Sequence, residues 1–200
     1  MGSGLVARRG LTLMELVVAL AVGGAAIAAG AAALGGLVDR QDTIDAQLAR
    51  LDGAVQFRRA LSAWATATQL DPRAGGVEFR GVDAARSGRA DDSLTFRSVA
   101  TDLGAERATE VSLHIARDSG SQIVIATRPW GSAEPAAVLL RAPAAALDIQ
   151  YLLREGELVT WIDSWTSGTV LPAAIRVRIE GNPADAHPLL AYPLIIRLAP

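Results

Sequence analysis

From Leu16 to Val38 the chain runs 23 residues without a charged side chain, and one carboxylate, Glu15, stands at the head of that run. No other feature restricts the fold as much. As a helix rising ~1.5 Å per residue, the run is roughly 35 Å long, against a hydrocarbon core of ~30 Å. It can cross a membrane once, and no later apolar stretch approaches the ~18 residues that a second crossing needs. An ionisable group in such a segment is costly and normally has a partner. The dipole at a helix start offsets part of that cost for a negative charge. Glu15 is therefore a functional candidate. If the chain is cut after Gly10, the new α-amino group on Leu11 lies one helical turn away. That amine is a counter-charge for Glu15, in the same subunit or in a neighbour. The plainer alternative is an ordinary anchor that tolerates one polar residue near its end.

The flanks of the run predict its orientation. Arg8 and Arg9 precede it, whereas Asp39, Arg40, Asp42 and Asp45 beyond it are net acidic. The positive-inside rule keeps the short N-terminus in the cytoplasm and exports the remainder. In a Gram-negative cell the exported part faces the periplasm. That compartment permits disulfides, yet the chain has no cysteine, so the fold must rest on its core alone. Within the run, 14 of the 18 residues from Ala19 to Gly36 are Ala or Gly. Ala26/Gly30, Ala31/Gly35 and Ala32/Gly36 have the spacing that lets helices approach closely in lipid. Composition bias accounts for the same pattern equally well, since all 19 basic residues are arginine.

Beyond the membrane the helical period continues. Leu37, Ile44, Leu48, Leu51 and Val55, then Ala54, Phe57, Leu61 and Trp64, place apolar side chains on one broad stripe. No proline follows Leu11 before Pro72, and Asp71-Pro72 with Gly75-Gly76 is a stop signal. One helix is expected from Leu11 to around Thr68, its first half membrane or fibre core and its second half one face of a globular domain, with the exposed stripe between Leu37 and Trp64 as a contact with sister helices. From Val77 onward the period becomes two. Expected strands are Val77–Val82, Ser93–Ala100, Glu110–Arg117, Gln122–Thr127, Ala137–Arg141, Leu147–Leu153, Leu158–Asp163, Ala174–Glu180 and Leu190–Leu198. Asp118-Ser119-Gly120-Ser121 and Arg154-Glu155-Gly156-Glu157 read as hairpin turns, and Gly81–Asp92 as an exposed loop. These short antiparallel units beside a long helix make an α+β protein.

At Gly10 followed by Leu11-Thr12-Leu13-Met14-Glu15, the chain resembles the prepilin cleavage site shared by type IV pilins and type II secretion pseudopilins. The resemblance implies a leader of residues 1–10 with Arg8 and Arg9 as its charges. It implies a membrane peptidase that cuts between Gly10 and Leu11 and methylates the new amine of Leu11. It also implies that Glu15 pairs with the amine of an adjacent subunit during fibre assembly. One departure is Leu11, where the family usually carries phenylalanine, an exchange of one apolar side chain for another. A twin-arginine export signal at Arg8-Arg9, or a small-residue cleavage site at Ala26-Ile27-Ala28, competes for this segment. The carboxylate inside the apolar region and the length of that region argue against both.

Tyr151, Trp161, Trp165 and Leu171-Pro172, followed by Ile175-Arg176-Val177, are ordered like the late strands of the minor pseudopilin J family. That resemblance implies a type IV pilin-like fold: a long N-terminal helix, transmembrane in its first half, packed on antiparallel β-sheets. Residues 11–38 are then the transmembrane and fibre-core helix, 39–68 its amphipathic continuation, and 69–200 a periplasmic β-rich domain. The implied function is that of a minor pseudopilin in the inner membrane, which initiates or caps a pseudopilus for export of folded proteins. Implied partners are the other minor pseudopilins, the major pseudopilin and the prepilin peptidase. The tryptophans read either as core or as a subunit contact. A minor pilin of a type IV pilus or DNA-uptake fibre shares the leader and is the nearest alternative. A non-polymerising membrane-anchored binding domain, or more remotely an exported hydrolase, represents a different class.

The residues offer little for catalysis. Without cysteine or lysine, thiol and Schiff-base chemistry are absent, and only His114 and His187 occur. Neither has a neighbour at metal-ligand spacing, and no nucleophile elbow, phosphate loop or zinc-protease motif is present. Asp91-Asp92 and the pair Asp148/Asp163 lack the dense oxygen spacing of a calcium loop and read as solvated turn residues. No catalytic residue, metal or cofactor is expected. From Asp39 onward 17 arginines face 20 carboxylates, which gives no basic face for nucleic acid.

Overall fold

The computed structural model describes residues 12–71, 78–100, 108–118, 120–167, 170–181 and 192–198. One helix, α1 (Leu13–Thr66), precedes a series of strands. By internal contacts the chain divides into two units, Met1–Gln47 and Leu48–Pro200, with the boundary inside α1. In the first unit every residue from Thr12 to Gln47 is exposed. An uninterrupted run of helix-compatible residues and the absence of proline explain why the helix forms without tertiary support there.

The second unit holds the core. Its strands are β1 (Phe79–Val82), β2 (Ala85–Arg86), β3 (Arg89–Ala90), β4 (Ser93–Ser98), β5 (Thr109–Ala116), β6 (Gln122–Pro129) and β7 (Ala137–Pro143). They continue with β8 (Ala146–Glu155), β9 (Leu158–Ile162), β10 (Ala174–Glu180) and β11 (Leu194–Arg197). One antiparallel sheet has the order β1-β4-β5-β6-β7 and a second the order β11-β10-β8-β9. The architecture is α+β, a long apolar N-terminal helix packed with antiparallel sheets. Alternation does the sorting: Leu94 and Phe96, Val111 and Leu113, Ile123 and Ile125, Leu147, Ile149 and Tyr151, and Ile175, Val177 and Ile179 all point inward. Ala54, Phe57, Leu61, Trp64 and Ala65 of α1 complete the same core.

Burial of these five residues corrects the expectation of an exposed stripe from Leu37 to Trp64. Only Leu37, Ile44 and Leu48 remain exposed, at 60%, 54% and 51%. The rest of the stripe is consumed by the protein's own sheets. The helix also ends at Thr66, before the Asp71-Pro72 signal. Here Ser98 Oγ donates to the carbonyl of Trp64 (2.8 Å), and the Val99 amide donates to the carbonyl of Ala67 (3.1 Å). A strand end thus satisfies the last-turn acceptors that a glycine or water would otherwise serve. Arg58 Nη1 donates to the Tyr192 carbonyl (2.7 Å) and ties α1 to the segment entering β11.

Each expected strand is represented, the last only as Leu194–Arg197: Tyr192, Pro193 and Leu198 are outside the ladder, and Leu190 and Ala191 lie outside the described residues. Gly120 (φ 103°) and Gly156 (φ 59°) take the positive φ that the two hairpin turns require. The segment Gly81–Asp92 is not a plain loop. It contains the β2–β3 hairpin, closed by Ser87 and Gly88 at positive φ, and it ends on a buried carboxylate, Asp92 at 3% exposure.

The two sheets meet at an aromatic junction. Phe96, Phe79, Tyr151 and Trp165 pack in that order, with successive ring centroids 6.0–6.4 Å apart and Phe79 edge-on to Tyr151. Gly81 of β1 exchanges backbone hydrogen bonds with Trp165 (2.7 and 3.0 Å). A Cβ on Gly81 would lie 1.9 Å from Tyr151 Oη, so only glycine lets the ring pass this close. Burial pushes the Tyr151 phenol far above its ordinary pKa, and the Asp92 charge adds to the effect. Its Oη has no protein partner among the described residues. Removing a buried unpaired hydroxyl while keeping the ring relieves a desolvation cost. Tyr151→Phe is accordingly expected to be neutral or to raise stability by up to about 1 kcal/mol, read as a shift in the urea midpoint of the detergent-solubilised protein.

Candidate functional site

The head of α1 is built from local sequence. Thr12 occupies the N-cap position, and Glu15 lies three residues later. The Thr12 amide and hydroxyl both donate to Glu15 Oε2 (2.9 and 3.0 Å), and the Glu15 amide donates back to Thr12 Oγ1 (3.2 Å). This is a reciprocal capping box, which satisfies amide donors that a helix start leaves open. Sequence reading singled out Glu15 for its charge and overlooked Thr12, although the T-x-x-E spacing was in plain view. The capping geometry also leaves Glu15 a second carboxylate oxygen, Oε1, outside the box. An exposed oxygen carrying negative charge at the mouth of a long apolar helix is a ready acceptor for an ammonium group.

Behind this cap the helix is long and apolar enough to cross a membrane, and its most apolar stretch is not buried. Leu13, Met14, Leu16, Val17 and Val18 are more than half exposed. Gly23, Gly24, Gly30, Gly35 and Gly36 face open space, so a Cβ added at any of them meets no atom. Among the described residues these glycines therefore serve no close contact inside one copy. Arg8, Arg9, Gly10 and Leu11 lie outside the described residues.

The remaining candidates disperse. Asp91 pairs with Arg117 (2.9 Å). Asp92, by contrast, turns inward, where Oδ1 accepts from the Ala84 amide (3.0 Å) and Oδ2 from the Ile149 amide (2.7 Å). It is a staple between the β2–β3 hairpin and β8, not a solvated turn residue. Burial raises its carboxyl above the ordinary range, the two amide donors oppose that shift, and the charges of Asp83 and Asp148 reinforce it. Asp148 lies 3.7 Å from Arg178 and Asp163 accepts from Gln150 Nε2 (3.0 Å), so these two are engaged separately. Among the described residues no three His, Asp or Glu side chains gather as a metal site. His114 sits partly buried in β5, and His187 lies outside the described residues.

The aromatic landmarks divide by environment. Tyr151 and Trp165 are core, with Trp165 Nε1 donating to the Val170 carbonyl (3.0 Å). Trp161 is partly exposed and carries the Arg176 guanidinium 4.0 Å above its ring, while Arg176 also donates to Gln150 Oε1 (2.9 Å). The Tyr strand β8, the Gly156 turn, the Trp strand β9, the Leu171-Pro172 step and β10 follow one another as expected, with β8 paired to both β9 and β10. No protein-family model matches the sequence, and no curated protein matches it significantly.

Proposed function

We propose that the protein is a fibre subunit of the prepilin type, a minor pseudopilin of a type II secretion system. The observation that carries this reading is the capped helix head, where an exposed carboxylate stands at the threshold of a single apolar helix that carries a β-rich domain. In an anchor alone the carboxylate would serve only to cap the helix. A subunit that must register its helix against a neighbour's free amine also needs its charge. On this reading Arg8 and Arg9 hold the leader in the cytoplasm, and the peptidase cuts between Gly10 and Leu11. The methylated amine of Leu11 then becomes the partner of a neighbouring copy of Glu15 or its equivalent. The span sits in the inner membrane until assembly draws it into the fibre, and the domain after it faces the periplasm. Small residues from Ala19 to Gly36, unused within one copy, allow close helix approach in that fibre. The aligned order from Tyr151 to Val177 supports the minor pseudopilin J family within the pilin-like group.

Intact-mass measurement of the protein from its native membrane tests the reading. A species beginning at methylated Leu11 is expected. A chain that begins at Met1, or one cut near Ala28, would sink it.

A further inference from the structure

The two main sheets end on β1, β7, β9 and β11, and three of these edges are guarded. The side of β1 away from β4 is met by Trp165, which exchanges two backbone hydrogen bonds with Gly81. β7 carries Arg141, ends on Pro143, and shifts its register against β6 between Ile125 and Ala126. β11 is four residues long, contains Arg197 and follows Pro193. Arg58 of α1 donates to the carbonyls of Tyr192 (2.7 Å) and Pro193 (3.5 Å) just ahead of it. Bulges, prolines, charges and short length are the ordinary means of keeping an edge from templating another chain.

β9 has none of these. Its residues, Leu158-Val159-Thr160-Trp161-Ile162, include no charge and no proline, and their ladder with β8 is regular. Among the described residues its backbone makes no hydrogen bond outside that ladder. Leu158 and Val159 are 56% and 53% exposed. Charge stands only at the two ends. Glu157 precedes the strand and Asp163 follows it; both are exposed, and neither has an ion-pair partner among the described residues. Arg154, opposite Val159, stands on β8, on the side of β9 away from the free edge.

The two carboxylates restrict what the edge can accept. A second copy pairing antiparallel about Thr160 would match Val159 with Trp161 and Leu158 with Ile162, which are favourable cross-strand pairs. The same register sets Glu157 against Asp163 at both ends, and in-register parallel pairing sets each carboxylate beside its own counterpart. Like charges placed opposite one another are destabilising. The flanks thus oppose self-pairing and favour a strand whose ends are basic.

We propose that the free edge of β9 is a docking site for an extended segment of a different protein, an apolar, β-branched stretch as long as β9 and bounded at both ends by arginine or lysine. The segment adds a strand to the second sheet. Backbone hydrogen bonds supply affinity, Val159 and Trp161 meet its alternate side chains on one face, and Glu157 and Asp163 fix its register. The inference goes beyond the fibre reading and does not depend on cleavage after Gly10.

The full-length protein in detergent is titrated into a fluorescein-labelled peptide, Arg-Ile-Val-Thr-Val-Ile-Arg, whose palindromic order serves either strand direction. Saturable binding is expected, with the peptide Glu-Ile-Val-Thr-Val-Ile-Glu weaker on the order of ten-fold. Glu157→Arg with Asp163→Arg reverses that preference, and a reversal cannot come from a folding defect. N-methylation of alternate peptide amides separates strand addition from apolar adsorption. Methyl groups on the amides that face β9 abolish binding, and those on the other set leave it intact, because only one edge of an added strand is bonded. Equal affinity for the two peptides, a preference unchanged by the double substitution, or tolerance of methylation on both sets overturns the proposal. Since the chain has no cysteine, Thr160→Cys tests for a second copy directly. Efficient disulfide linkage between copies would assign the edge to self-pairing and overturn the proposal as well.

Discussion

If the protein is the secretion subunit proposed above, Glu15→Ala is expected to leave it inserted in the membrane and to abolish export of that system's substrates. Insertion survives because the substitution only makes the apolar run longer and less costly to bury. Export fails because two functions of one side chain disappear together: the cap on Thr12 and the negative charge offered to a neighbouring amine. Glu15→Gln separates them. A glutamine carbonyl oxygen can still accept from the Thr12 amide and hydroxyl, as Glu15 Oε2 does at 2.9 and 3.0 Å. It cannot form an ion pair. If charge is the assembly determinant, Gln fails as completely as Ala. The readout is substrate in the medium against chain in the membrane fraction. Normal export with Gln and loss with Ala would assign Glu15 to capping alone, and normal export with both would remove it from assembly.

Asp92→Ala is expected to destabilise the domain strongly. It leaves the Ile149 amide and the Ala84 amide without their acceptor in a site where Asp92 is 3% exposed. Unsatisfied buried donors cost about 1–3 kcal/mol each, so a loss of about 2–5 kcal/mol is expected. Urea unfolding of the detergent-solubilised protein measures it, and a loss below about 1 kcal/mol would refute the staple. The pH dependence has an unusual sign. Burial raises the Asp92 carboxyl above its unfolded value of 3.8, so the folded state holds the proton more tightly. Its contribution is then fully present below the unfolded pKa and is lost as pH rises through the folded one. Asp92→Asn cannot titrate. The stability difference between the two proteins should therefore widen as pH falls from neutral through the folded pKa, and a difference that narrows would contradict the raised value.

Particular residues show where sequence reading sufficed and where it did not. The alternation at Ile175-Arg176-Val177-Arg178-Ile179 was enough to place β10, since a half-buried strand has no other way to sort those side chains. Gly156 announced its turn because only a residue at ease with positive φ closes that hairpin. Asp92 was misread, because a carboxylate beside another carboxylate after Ser87-Gly88 has the local signature of a solvated turn. What buries it is Ile149, far away in sequence. The Leu37–Trp64 stripe was misread in the same way. Helical period reveals an apolar face, but not how much of it the protein's own sheets cover, as they do at Phe57 and Leu61 and not at Ile44 and Leu48. Thr12 is the one omission that local rules could have prevented.

By itself, the sequence determined everything that depends on near neighbours and on the solvent each segment can accept. It placed a single membrane-competent helix, an acid at its head, the strands and their turns, and a core that must hold without disulfides. The tertiary structure alone decided which half of the helix stripe is core, that Gly81 must be glycine because Tyr151 packs on it, and that Asp92 holds β8. The division has one physical cause. Period, capping and hydrophobic length are summed over residues within a few turns of each other, whereas burial is a property of pairs that meet only after the chain has closed on itself.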